Sequence, residues 1–150
     1  MANIESADYL SVLEQTGVIS FVPSGVSMWP FIKNRSQSVI IEKLSKPLEV
    51  FNVVLFTRPN GSYILHRVID IDNDTVTVIG DSQYNSEKVN INQIVGVMTG
   101  FYKGKTFVSA NDPKYIKKVA KWHKNGAIVR LRKKWFNFTL ALKNKLKKGK

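Results

Sequence analysis

Residues 62–81 read SYILHRVIDIDNDTVTVIGD. Two runs of alternating apolar and polar residues are separated by Asn73-Asp74, a turn signal, so the segment reads as a β-hairpin. A period of two sends Tyr63, Leu65, Arg67 and Ile69 to one face of the first strand. It sends Ser62, Ile64, His66 and Val68 to the other, so His66 shares its face with apolar residues.

Downstream, QIVGVMTGFYKGKTFV (93–108) repeats the pattern, with a turn expected at Lys103-Gly104. Upstream, VISFV (18–22), QSVIIEKL (37–44) and FNVVLFTR (51–58) read as strands from their β-branched and apolar runs, with SKPLEV as a connecting loop. Many short strands with frequent turn signals predict a mostly β chain, folded as a small antiparallel barrel or sandwich. Ahead of the strands, residues 5–16 predict a short helix, capped by Ser6, stopped by Gly17, and carrying Tyr9, Leu10 and Leu13 at helical spacing.

The chain has 150 residues and a net charge of +12, unevenly placed. Residues 1–112 carry 9 Lys/Arg against all 11 Asp/Glu, whereas residues 113–150 carry 14 Lys/Arg and no acid. The expected division is a β domain over 1–111 and a basic helical tail over 112–150. In the tail, Asp112-Pro113 is a helix start and Asn125-Gly126 a stop. From Ile128 onward, Leu131, Trp135, Phe138, Leu142 and Leu146 continue one apolar stripe at spacings of three and four, among lysines and arginines.

Three readings fit this tail. Trp122, Arg130, Arg132, Lys133, Lys134, Trp135 and Phe138 suit the surface of an anionic membrane, the reading favoured by the amphipathic pattern. A helical pair packed on the β body with a solvated basic face is second. Non-specific nucleic-acid binding is the least favoured. With no apolar run of 18 residues, no membrane-spanning helix is expected, and the first residues do not read as a secretory signal. A cytoplasmic location, peripheral at a membrane, is the expectation. The chain has no cysteine and two histidines, so neither a thiolate site nor a metal is expected, and no cofactor is called for.

Chemistry gathers around FVPSGVSMWPFI (21–32), in which Ser27 sits among apolar residues between Gly25 and Pro30. A serine hydroxyl is a poor nucleophile without a base in reach, and His66 is the only histidine of the β body. Alone, His66 reads as a core histidine, and Ser27 as a turn hydroxyl bonding its own backbone. A third group, IGDSQYNSE (79–87), supplies Asp81 and Glu87, either of which could fix the tautomer of a catalytic histidine.

Together these three segments resemble the signal peptidase I and LexA-type serine peptidase group. SGVSMWP is similar to its nucleophile motif and VVLFTRPNGSYILHRVI to its base-bearing segment. VIGDSQYNSE is similar to its Gly-Asp box, and INQIVGVM to the strand that closes its fold. His-Arg-Val, where bacterial signal peptidases carry lysine, is closest to the endoplasmic-reticulum and archaeal type. The resemblance spans about residues 18–102 and lacks the group's membrane anchor. It implies Ser27 as nucleophile, His66 as general base, Asp81 or Glu87 as acid partner, and an oxyanion hole from the backbone around Gly25, Val26, Ser27 and Met28. The implied activity is cleavage of a peptide precursor or leader through an acyl-enzyme, with small residues beside the cleaved bond. The alternative is an inactive peptide-binding module of the same fold; substrate identity and oligomeric state stay open.

Overall fold

The structure is a computed structural model that describes residues 6–33 and 35–149. Glu5 and the Ser6 side chain, parts of the expected N-terminal helix and its cap, lie outside the described residues. Helix α1 (Ser6–Thr16) ends where Gly17 turns to φ +77° and donates its amide to the Leu13 carbonyl at 2.8 Å. That backbone is easy for glycine and costly for a residue with a Cβ. Leu13 is buried, Tyr9 packs beside it and Leu10 faces solvent.

Eight strands follow: β1 (Val18–Phe21), β2 (Gln37–Glu42), β3 (Val53–Thr57), β4 (Tyr63–Asp72), β5 (Thr75–Ile79), β6 (Glu87–Asn90), β7 (Ile94–Lys103) and β8 (Thr106–Ser109). All described pairings are antiparallel, in the order β1-β2-β7-β3-β4-β5-β6, with β8 also on β7. The chain is therefore mostly antiparallel β, as its alternating runs predict, and its described strands join in one open sheet where a small barrel or sandwich was expected.

The hairpin of β4 and β5 turns at Asn73-Asp74, where Asn73 takes φ +52°. The hairpin of β7 and β8 turns at Gly104-Lys105, one residue later than expected, because it is Gly104 that supplies a positive φ. Strand β6 is absent from the sequence expectations. Its residues EKVN hold a single apolar side chain, and the strand exists through its ladder to β5, where Val89 pairs with Val76.

Two apolar clusters cover opposite faces of the sheet. One joins Leu13, Met28, Ile32, Ile41, Val53, Leu65 and Phe101, and the other joins Val54, Phe56, Val68, Val76, Val78 and Val89. Leu65 and Val68 fall in different clusters, as their opposite faces on β4 require. A bulge between Val68 and Asp70 then shifts the register of β4 against β5.

Helix α2 (Pro113–Lys124) begins as expected, with the Asp112 side chain accepting from the amides of Lys114 and Tyr115 and Pro113 in the first turn. Its Tyr115 and Val119 complete the first cluster, so packing is continuous across the boundary drawn at residue 112. Helix α3 (Gly126–Lys148) differs. Leu131, Trp135, Phe138, Leu142 and Leu146 are all exposed. Among the described residues, no helix is long and apolar enough to cross a membrane.

Candidate active site

Ser27 lies in the loop between β1 and β2. Gly25 takes φ +89°, a left-handed conformation natural to glycine, and Ser27 opens a tight turn. The Trp29 amide donates to the Val26 carbonyl at 3.1 Å, and the Phe31 and Ile32 amides donate to that of Met28 at 3.1 and 2.9 Å. Buried Met28 and Ile32 anchor the loop from beneath, while Val26 and Trp29 face outward.

A second turn holds the loop from the side. The Ser82 amide donates to the Ser27 carbonyl at 2.9 Å, and the Ser82 hydroxyl donates to the Val26 carbonyl at 2.8 Å. Gly80 permits this approach, because a Cβ there would stand 2.8 Å from the Ser27 carbonyl oxygen. Among the described residues, the amides of Val26, Ser27 and Met28 donate to no partner.

His66 sits on β4, almost wholly buried, with its ring centroid 5.9 Å from that of Phe56. Its Nδ1 lies 3.4 Å from Glu87 Oε1, a charge contact too long to count as a good hydrogen bond, and among the described residues Nδ1 has no other partner. Glu87 at the start of β6 is held in turn by Arg58, which donates Nη2 to Oε1 at 2.6 Å and Nε to Oε2 at 3.3 Å. Burial pushes the His66 imidazole below its ordinary value, partly opposed by the Glu87 charge and reinforced by Arg58. At neutral pH the ring is therefore in its proton-accepting form.

Ser27 and His66 line one cavity of about 180 Å³, together with Gly25, Met28, Tyr63 and Arg58. Among the described residues no hydrogen bond joins the Ser27 hydroxyl to His66.

Asp81 is occupied elsewhere. Fully buried, it accepts from Arg67 Nε and Nη2, each at 2.7 Å, and its Oδ1 lies 2.6 Å from His123 Nε2. Burial pushes its carboxyl up, but Arg67 and then His123 more than offset that and hold it below the ordinary carboxylate range. Arg67 also donates to the Tyr115 hydroxyl and the Phe51 carbonyl, both at 2.9 Å. Of the two expected acid partners, the structure thus brings Glu87 to His66 and ties Asp81 to Arg67.

Arg67 and His123 were not among the expected site residues. The signal for Arg67 was its place on the same strand face as Leu65, where a buried guanidinium needs a carboxylate. Nothing local in KWHK marks His123 as reaching back 42 residues to Asp81.

The residues expected at a membrane divide. Trp122 donates its indole N–H to the Asp81 carbonyl at 2.6 Å and meets Trp29 and Phe31 edge-on. Arg132 is buried, donating to the Gln83 carbonyl at 2.5 Å with its guanidinium 5.6 Å from the Trp122 ring. Both therefore serve the interior rather than an outer face, because open backbone carbonyls of the 80–83 turn demand donors there. Arg130, Lys134, Trp135 and Phe138 are exposed, and the Lys133 side chain lies outside the described residues. Among the described residues, no group of three or more His, Asp or Glu gathers to hold a metal.

No family model and no curated protein matches this chain.

Proposed function

We propose that this chain is a serine endopeptidase with a signal-peptidase-like β core that cleaves a peptide precursor or leader. The carrying observation is that Ser27 and His66, far apart in sequence, line one cavity with the Glu87 carboxylate behind Nδ1 of the histidine. With Glu87 on that side, the neutral ring carries its proton on Nδ1 and presents Nε2 as the base. Nε2 takes the Ser27 proton as Oγ adds to the scissile carbonyl carbon. The amides of Val26, Ser27 and Met28 supply donors for the oxyanion. Collapse of the tetrahedral adduct breaks the C–N bond, and the imidazolium returns the proton to the leaving amine. Water, deprotonated by the same nitrogen, then hydrolyses the acyl-Ser27 ester.

A second part of the reading concerns location. The exposed stripe of Leu131, Phe138, Leu142 and Leu146 among basic residues supports attachment of α3 to an anionic membrane surface.

The catalytic part is tested with a fluorophosphonate probe and a panel of precursor peptides on the parent chain, Ser27→Ala and His66→Ala. The expected result is covalent labelling of Ser27 and cleavage by the parent alone. Peptide binding by the parent without labelling or cleavage would instead identify a binding module that keeps the fold.

A further inference from the structure

Ser27 stands between two cavities of unequal size. Next to the small cavity shared with His66, a groove of about 660 Å³ separates the Ser27 loop from α3. Val26, Trp29 and Gln83 form one wall, and Trp135, Leu140 and Lys143 the other. Gly25, Ser27 and Gln83 line both cavities, so the two meet at the serine.

Arg132, rather than the apolar stripe, places α3 there, through its bonds to the 80–83 turn. At 3.6 residues per turn, Arg132, Thr139 and Lys143 share a helix face about 100° round from Leu131, Phe138 and Leu142. The groove face and the outward stripe are therefore adjoining surfaces of one helix that meet at Trp135, whose ring centroid lies 6.2 Å from that of Phe138.

We infer that α3 is the specificity wall of the peptide site. It receives the substrate flank that enters the groove rather than the cavity lined by His66, and that flank carries bulky apolar residues followed by an acidic one. This rests on the peptidase reading above. The volume lies within the roughly 300–1,000 Å³ of ordinary ligand sites, enough for more than one side chain. Four large apolar groups, Val26, Trp29, Trp135 and Leu140, stand exposed around it at 46–66 % of their full area. Water-exposed apolar walls that converge on a nucleophile gain by being covered. Lys143 sets the sign of charge at the rim, in a tail with 14 cations and no acid. The small cavity beside His66 admits only small groups, so a chain crossing Ser27 meets two unlike pockets.

The test uses the full chain carrying Ser27→Ala, so that binding is read without turnover. Three fluorescein-labelled peptides share a stretch of alanines and continue as Phe-Leu-Glu, Ala-Ala-Glu or Phe-Leu-Lys. The first is expected to bind at least about 10-fold tighter than either control, the discrimination a shaped apolar pocket supplies. Adding Leu140→Ala should abolish the preference for Phe-Leu. Adding Lys143→Glu should reverse the preference for Glu over Lys. Leu142→Ala, on the stripe and outside the groove lining, should change neither. All three positions are exposed, and unchanged melting temperatures will show that the variants fold.

Equal binding of the three peptides, or preferences that survive Leu140→Ala and Lys143→Glu, would overturn the inference. So would a Leu140→Ala variant that loses affinity for phosphatidylglycerol vesicles and keeps its peptide preference. Fluorophosphonate labelling of chains that retain Ser27 reads the catalytic proposal separately. No labelling with the peptide preferences intact would remove the peptidase and leave the groove as a peptide-binding site.

Discussion

His66 combines deep burial with a single carboxylate neighbour, and the two pull its proton affinity in opposite directions. Burial prevails, so the folded chain binds a proton at His66 less readily than the unfolded chain does. Stability from this group is complete above the ordinary histidine value of about 6.5 and is lost as pH falls below it toward the depressed folded value. Melting temperature should thus fall on acidification through that window in the parent chain and fall less in His66→Gln. In the proposed mechanism neutral Nε2 is the base, so the acid limb of kcat/KM should have its midpoint below 6.5; a midpoint above it would argue against His66 in that role. The two acids should separate in kind. Glu87→Gln should lower kcat by about 10- to 100-fold with little change in melting temperature, because it alters the partner of the proposed base in a partly exposed pair. Asp81→Asn leaves the buried Arg67 charge uncompensated and should destabilise by about 3–5 kcal/mol in urea unfolding.

The elements around Ser27 form a stack in which each layer holds the next. Helix α3 reaches the 80–83 turn through Arg132, and that turn holds the Ser27 loop through Ser82. Gly80 is the contact point. In Gly80→Ala the new Cβ would meet the Ser27 carbonyl and the Gln83 side chain at 2.8 Å, so the loop must shift. Misplacement by about 1 Å costs on the order of 100-fold in rate, and labelling of Ser27 should slow by that order while the β body stays folded by circular dichroism. Truncation separates the helices. A chain ending at Asn111 loses Tyr115 and Val119 from the core, Trp122 from the Asp81 carbonyl and His123 from its carboxylate, and should fail to fold. A chain ending at Asn125 keeps all four and should melt cooperatively. Only the chain ending at Asn111 lacks the whole tail, so loss of activity there would report unfolding rather than a catalytic part for α3.

At the scale of the molecule, charge and apolar surface coincide. The cations of residues 113–150 have no acid among them, and the uncovered stripe of α3 lies in the same segment. Each basic residue near an anionic bilayer contributes about 1 kcal/mol, and that attraction is screened over about 8–10 Å at ordinary ionic strength. Sedimentation with phosphatidylglycerol vesicles should therefore recover the full chain at low salt and lose it at high salt. Phe138→Ala with Leu142→Ala should weaken recovery at both. A full chain that ignores such vesicles at low salt would leave the basic face merely solvated.

Local chemistry was sufficient for most of the sheet, though not for β6, which exists through its ladder to β5. The alternation in 62–81 set which faces of β4 carry Leu65 and His66, and Asn73 and Gly104 marked the turns that positive φ requires. Asp112 and Pro113 likewise announced α2, since caps act within one turn of the helix. Ser27, His66 and Glu87 were legible as types of residue in suggestive company. Tertiary structure decided how they are shared. Asp81 and Glu87 stand six residues apart on one short segment, and nothing local separates them. They part because β5 and the turn after it carry Asp81 to the face of Arg67, while β6 returns Glu87 to that of His66. Trp122 and Arg132 show the same limit. An amphipathic pattern reports which residues could face an apolar surface, but not whether lipid or protein supplies it. The open carbonyls of Asp81 and Gln83 drew these two inward, because backbone acceptors at a buried turn need donors wherever in the chain those donors lie.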